Sequence, residues 1–263
     1  MTEQNEPFFR REGALYQPLP SGRGPWNPQS LHGRVIVGLL AYAVESEHGD
    51  DAFLPTRLTV DMYKLPGFDP VELKTTIVRA GNRIKVIDAE FISGGVSMGR
   101  ATCQLLRRAE NSPGKVWTPP SWDVPLPDAI EPPEPRSGMG GMWAMRPISG
   151  GFGTATGPKR TWMKEVRELV GGEPLTPFQR AALAADFASP FANAGEQGLG
   201  YINSDVTLYL HRLPKQEWIG VEVTDHGATD GVAVGTTRFY DVEGPIGSVT
   251  CCALAQQMRQ RPQ

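Results

Sequence analysis

"LTVDMYKLP" (Leu58 to Pro66) and "VTLYLHRLP" (Val206 to Pro214) lie 148 residues apart in one chain of 263 residues. In the first, Leu58, Val60 and Met62 alternate with Thr59, Asp61 and Tyr63. In the second, Val206, Leu208 and Leu210 alternate in the same way. A period of two marks a strand with one buried face. The same offset pairs Thr76 with Thr224, Val86 with Val234 and Phe91 with Phe239. It then pairs Gly99 with Gly247, Thr102 with Thr250 and Cys103 with Cys251, without a gap. A register held through four successive strand-like runs is a duplicated β-rich unit.

Working outward, each unit begins with an apolar helical stretch. "NPQSLHG" leads into "RVIVGLLAYAVE", where Val35, Ile36, Leu39, Leu40, Ala43 and Val44 form a wide apolar face. In the second unit, "TPFQRAALAADFASP" offers Thr176 as N-cap and Pro177 at the first helical position. Pro190 is expected to end that helix. A proline-rich stretch joins the units, so the expected domains are 1–111, a linker at 112–138, and 139–263. A helix followed by an antiparallel meander, twice, is an α+β pattern.

Composition narrows the function. The net charge is −3 and no Lys/Arg run is present, which argues against nucleic acid as a partner. The longest apolar run, Val35 to Val44, is half of a membrane span, so no membrane insertion is expected. Three cysteines, an odd number, argue for a reducing, cytoplasmic setting, and "MTEQNEPFFRREG" has no apolar signal core. The four histidines are scattered, which indicates no metal site. "SGGFGTATGPKR" (Ser149 to Arg160) lacks the Gly-Lys-Ser/Thr ending of a phosphate loop and reads as a flexible turn between strands.

Several segments together resemble the acyl-CoA thioesterase II-like, double hot-dog superfamily. They are "SLHGRVIVGLLAYAVE", "RLTVDMYKLP", "AADFASP", "YINSDVTLYLHRLP", "EWIGVEV" and "YDVEGPIGSV", in the family's order from about Gly24 to Leu254. The resemblance implies two hot-dog units, each a curved antiparallel sheet wrapped round a central helix, with a site between them and an acyl-CoA thioester as substrate. No cofactor is implied. A homo-oligomer is expected by analogy with other hot-dog proteins.

The family site, carried over, falls on Asp186, Asn203 and Cys251 as catalytic positions. The acid is kept, an amide stands where the family has a hydroxyl, and a thiol stands where it has glutamine. Asp186 follows "AALA" and Ala185 on an apolar helix near its C-terminus. Burial and the helix dipole both disfavour a negative charge there, which suits a general base. The competing reading is a solvated helix-face aspartate. Asn203 can hold a water or open a strand as a turn residue. Cys251 reads first as a small buried strand residue copied by the duplication, since Cys103 repeats it, and second as a nucleophile. Cys252 falls on the opposite sheet face. His32 and Gly33 begin the first helix, whose free N–H groups can polarise a thioester carbonyl, so both are substrate-binding candidates. Trp26, Trp143 and Trp162 are candidates for an acyl tunnel or for core.

Two functions follow: hydrolysis of a fatty acyl-CoA by a water activated at Asp186, or binding of an acyl-CoA or acyl carrier without hydrolysis. A hot-dog hydratase wants an Asp with a His about five residues later, and "DFASPFA" has none.

Overall fold

The computed structural model describes residues 6–25, 27–120, 122–134 and 142–256. Trp26 and parts of the expected linker lie outside the described residues.

A hairpin opens the chain: β1 (Phe9–Glu12) and β2 (Leu15–Pro18). Helix α1 (Gly33–His48) follows, then four strands: β3 (Phe53–Met62), β4 (Val71–Ala80), β5 (Ile84–Ser93) and β6 (Val96–Arg107). A second hairpin, β7 (Ala144–Ser149) and β8 (Arg160–Lys164), opens the second half. Helices α2 (Pro177–Ala185) and α3 (Ala188–Asn193) come next. Three short strands follow, β9 (Ala194–Gly195), β10 (Gly198–Leu199) and β11 (Tyr201–Asn203). The meander β12 (Asp205–Leu210), β13 (Ile219–Thr229), β14 (Val232–Asp241) and β15 (Gly244–Ala255) completes the chain.

The two halves share one sheet, in the order β1-β2-β4-β5-β6-β3-β12-β15-β14-β13-β8-β7, with β11 added on β15. This is an antiparallel α+β architecture with two repeated units, each laid over a central helix. The stretches that announced the repeat are the strands that join its halves. β3 and β12 pair antiparallel, with Thr207 opposite Thr59, Leu208 opposite Leu58 and Val206 opposite Val60. Thr59 and Thr207 are equivalent residues of the two units, so a local two-fold axis passes between them. Thr207 Oγ1 donates to Thr59 Oγ1 across it at 3.3 Å.

α1 is wrapped by its sheet. From Arg34 to Val44 every residue is buried, the pattern of a helix apolar all round. α1 packs on α2, and at Gly38 an added Cβ would lie 2.6 Å from Leu183 Cδ2, so only glycine allows this approach.

The Pro190 expectation needs correction. The helix breaks earlier, between Ala185 and Ala188, and Pro190 lies in the first turn of α3. A proline at that position cannot donate to the carbonyl four residues back and its ring clashes there. That residue is Asp186, so the break falls at Asp186 and Phe187. The expected N-cap holds: Thr176 forms a reciprocal capping box with Gln179.

The expected turn between strands at Ser149 to Arg160 stands, joining β7 and β8, whereas the β1–β2 hairpin was not foreseen. Part of the segment expected as a linker lies on the outer sheet face. Trp122 stacks on Tyr240 with ring centroids 4.2 Å apart, and Trp162 Nε1 donates to the Pro125 carbonyl at 2.9 Å.

Candidate active site

At the end of α2 the Asp186 side chain lies against the start of α1. Asp186 is 5% exposed. Asn203 Nδ2 donates to its Oδ1 at 3.2 Å, and His32 Nδ1 lies 3.2 Å from its Oδ2. Gly33 leaves the room: a Cβ there would sit 2.7 Å from Oδ1 and 2.9 Å from Oδ2. Four of the five expected residues therefore meet, drawn from α1, the α2–α3 break and β11. They line a cavity of about 370 Å³. Its remaining walls include Ile36, Met62, Leu65, Leu199, Ile202 and Leu254. A polar end on apolar walls is the usual make-up of a small-molecule site.

The carboxylate feels two helix ends of opposite sign. The C-terminus of α2 repels it, as the sequence suggests. The N-terminus of α1, which only the fold brings there, attracts it.

His32 has two claims on one nitrogen. Its Nδ1 is 3.1 Å from the Arg34 N–H, which it accepts as N-cap, and 3.2 Å from the carboxylate. A neutral imidazole nitrogen either donates or accepts. Facing an ionised Asp186 it carries the proton; facing a protonated Asp186 it is free to accept. Burial holds His32 below its ordinary range, although the hydrogen bond to Asp186 pulls the other way, so the ring is neutral near pH 7.

Behind this layer Arg34 is fully buried. Its Nη1 meets Glu165 Oε2 at 3.0 Å and donates to the Met142 carbonyl at 2.9 Å. The guanidinium lies over Trp143, 4.3 Å from the ring centroid. Burial pushes it down to about 10, and burial raises Glu165.

Cys251 does not join the lining. It is fully buried, with Sγ donating to the Gly235 carbonyl at 3.7 Å. Burial pushes its thiol up to about 11, and that of its repeat partner Cys103 up to about 12. Thiols so raised are protonated near neutral pH and are poor nucleophiles. Cys252 is exposed, on the other face as expected, and all three cysteines are free. Trp143 packs edge-on against His32 in the core, and Trp162 is buried under Trp122 on the outer sheet face, so neither lines the cavity.

The sequence reading missed Ser189. It lies one helical turn past Asp186 and lines the cavity, with Oγ accepting from Asn193 Nδ2 at 3.3 Å. That spacing was the available signal. Among the described residues, no group of three or more His, Cys, Asp or Glu could hold a metal ion. None of their helices is long and apolar enough to cross a membrane.

Comparison with known proteins agrees with this architecture. A hot dog fold protein of unknown function from Alicyclobacillus acidocaldarius superposes with a TM-score of 0.75 at 15% identity, covering 95% of this chain and 96% of the other. The tesB protein of Mycobacterium avium subspecies paratuberculosis gives 0.70 at 13% identity, covering 95% and 96%. The acyl-CoA thioesterase II TesB2 of Mycobacterium marinum gives 0.62 at 13% identity, covering 94% and 95%. At such identities the likeness is one of fold. No curated protein matches the sequence. Two family models do: acyl-CoA thioesterase N-terminal domain over residues 22–111, and acyl-CoA thioesterase C-terminal domain over residues 117–253. Since the second alone spans more than half of the sequence, the chain belongs to the acyl-CoA thioesterase family, with the hot-dog unit present twice.

Proposed function

We propose that this protein hydrolyses fatty acyl-CoA thioesters, with Asp186 as the general base. The observation that carries this reading is a buried carboxylate at the polar end of an apolar cavity, facing a helix N-terminus. The acyl chain occupies the wall of Ile36, Met62 and Leu254. The thioester carbonyl points at the start of α1, where the first amides meet the charge that develops on oxygen. A water held by Asn203 and Asp186 attacks the carbonyl carbon and gives its proton to Asp186. The C–S bond then breaks, and the departing CoA thiolate takes that proton back. The products are the free acid and CoA.

One observation favours a second reading, binding without hydrolysis. Cys251, at the position where the family pattern has glutamine, lies outside the cavity lining and cannot hold the water. Turnover of a chain-length panel of acyl-CoAs separates the two. Free CoA is followed by chromatography, because exposed Cys252 reacts with thiol dyes. Hydrolysis that drops by ~10²-fold or more in Asp186→Asn and persists in Cys251→Ala supports the first reading. Saturable binding with no turnover on any chain length supports the second.

A further inference from the structure

The outer face of the sheet carries a second cleft, of about 800 Å³, which shares no lining residue with the candidate active site. It lies at the far end of β12. The active site meets the start of that strand at Asn203 and Ser204, whereas the cleft meets its end at Tyr209, Leu210 and His211. Five to eight residues, about 20 Å of extended chain, separate them.

A row of side chains in cross-strand register crosses this cleft. Gln104 on β6 pairs with Arg57 on β3, Arg57 with Tyr209 on β12, Tyr209 with Ser248 on β15, and Ser248 with Arg238 on β14. All five line the cleft, and none of its lining residues is acidic. Among the described residues neither Arg57 nor Arg238 has a carboxylate within salt-bridge distance. Arg57 Nε is buried there without a hydrogen-bond partner. Glu222 stands opposite Arg238 in register, but its two oxygens are committed to Arg160 Nε at 2.6 Å and to the Tyr240 hydroxyl at 2.8 Å. In a chain of net charge −3, two half-buried guanidinium groups in one cleft with no acidic lining residue are placed to take an anion.

We infer that this cleft binds a small phosphorylated molecule, its phosphoryl group held between Arg57 and Arg238. A guanidinium fork matches phosphoryl oxygens in pairs, and a phosphoryl group has enough oxygens for two forks, whereas one fork saturates a carboxylate. Tyr209 and Ser248 add hydroxyl donors between the arginines. Leu54, Leu106 and Pro245 give the organic part of the ligand an apolar rim. The inference does not depend on hydrolysis at Asp186. The phosphate source is either free CoA or an unrelated phosphate compound.

Calorimetric titration of inorganic pyrophosphate into the full-length protein at low salt tests the site. One saturable site is expected, weakening as salt is raised. Arg57→Gln and Arg238→Gln are each expected to weaken it about tenfold or more, the effect of losing one charge-assisted hydrogen bond, and the double variant to abolish it. Arg57→Lys keeps the charge and loses the fork, so intermediate weakening is expected, and it serves if a Gln variant folds poorly. A parallel titration with free CoA identifies the source: binding at Arg57 that survives Asp186→Asn marks CoA as a ligand of this cleft. The inference is overturned if pyrophosphate gives no saturable binding, if the double variant binds like wild type, or if binding is lost instead in Lys64→Gln at the active-site cavity.

Discussion

Replacing Gly33 by alanine isolates the position of the carboxylate. Gly33 has helical dihedrals, so alanine fits the backbone. The added Cβ would stand 2.7 Å from Asp186 Oδ1, 2.9 Å from Oδ2 and 3.0 Å from Cγ. Ordinary contact begins near 3.4 Å, so the carboxylate must retreat about 0.7 Å. Its hydrogen bonds to Asn203 and His32 are already at the long end of the normal range, at 3.2 Å each. A shift of that size breaks at least one of them. Misplacing a reacting group by an ångström costs up to ~10²-fold, so kcat/KM for CoA release is expected to fall about tenfold or more, ~1.4 kcal/mol in barrier height. The net change in stability is expected to stay below about 2–3 kcal/mol. Alanine favours a helix over glycine by up to ~1 kcal/mol, which offsets part of the ~1–3 kcal/mol of overpacking. The assay pairs steady-state kinetics with a thermal melt. A variant with wild-type Tm and kcat/KM within twofold of wild type would refute the placement of Asp186 as the base.

Two further outcomes follow from the buried charges. Arg34→Ala leaves Glu165 as an uncompensated buried carboxylate and empties the stack on Trp143; a loss of ~3–5 kcal/mol in chemical denaturation is expected, and less than ~1 kcal/mol would mean that water reaches Glu165. His32 supplies a pH dependence. Because its native value is depressed below 6.5, the unfolded chain binds a proton under acid conditions that the native site refuses. The stability is present above about pH 6.5 and is lost as pH falls below it. His32→Asn is therefore expected to flatten the denaturation profile there by up to ~1.4 kcal/mol per pH unit, and parallel profiles for the two proteins would contradict a neutral native His32.

The repeat was legible because strand alternation leaves a period-two trace that survives in each copy. α1 was legible because it is apolar on every side. The β1–β2 hairpin was not: its strands are short, and neither alternates cleanly enough to stand out from a loop, and the β7–β8 hairpin showed only through the turn between its strands. Asp186 and Asn203 came from family order rather than from spacing. Their contact with each other and with His32 joins residues up to 171 positions apart, which no local pattern encodes. The break at Asp186 was available in principle. Pro190 names it, because a proline disrupts the turn before itself and not only the chain after it. The unpaired arginines of the outer face were invisible for another reason: in sequence Arg57 and Arg238 are two ordinary strand residues, and only the register across four strands puts them in one cleft.

The local two-fold axis at Thr59 and Thr207 has a consequence for how such a site could arise. In a dimer of identical subunits every substitution is made twice, at both ends of the axis. Here the halves are covalently joined and free to diverge. The helices show it: α1 runs unbroken for 16 residues, whereas its counterpart is broken at Asp186 into α2 and α3. One half thus carries a carboxylate that faces a helix start, while the other carries at Gly38 a bare backbone that lets Leu183 and Leu169 close in. The broken helix presents a charged group to the cavity, and the unbroken one gives up a side chain to the packing of the two helices.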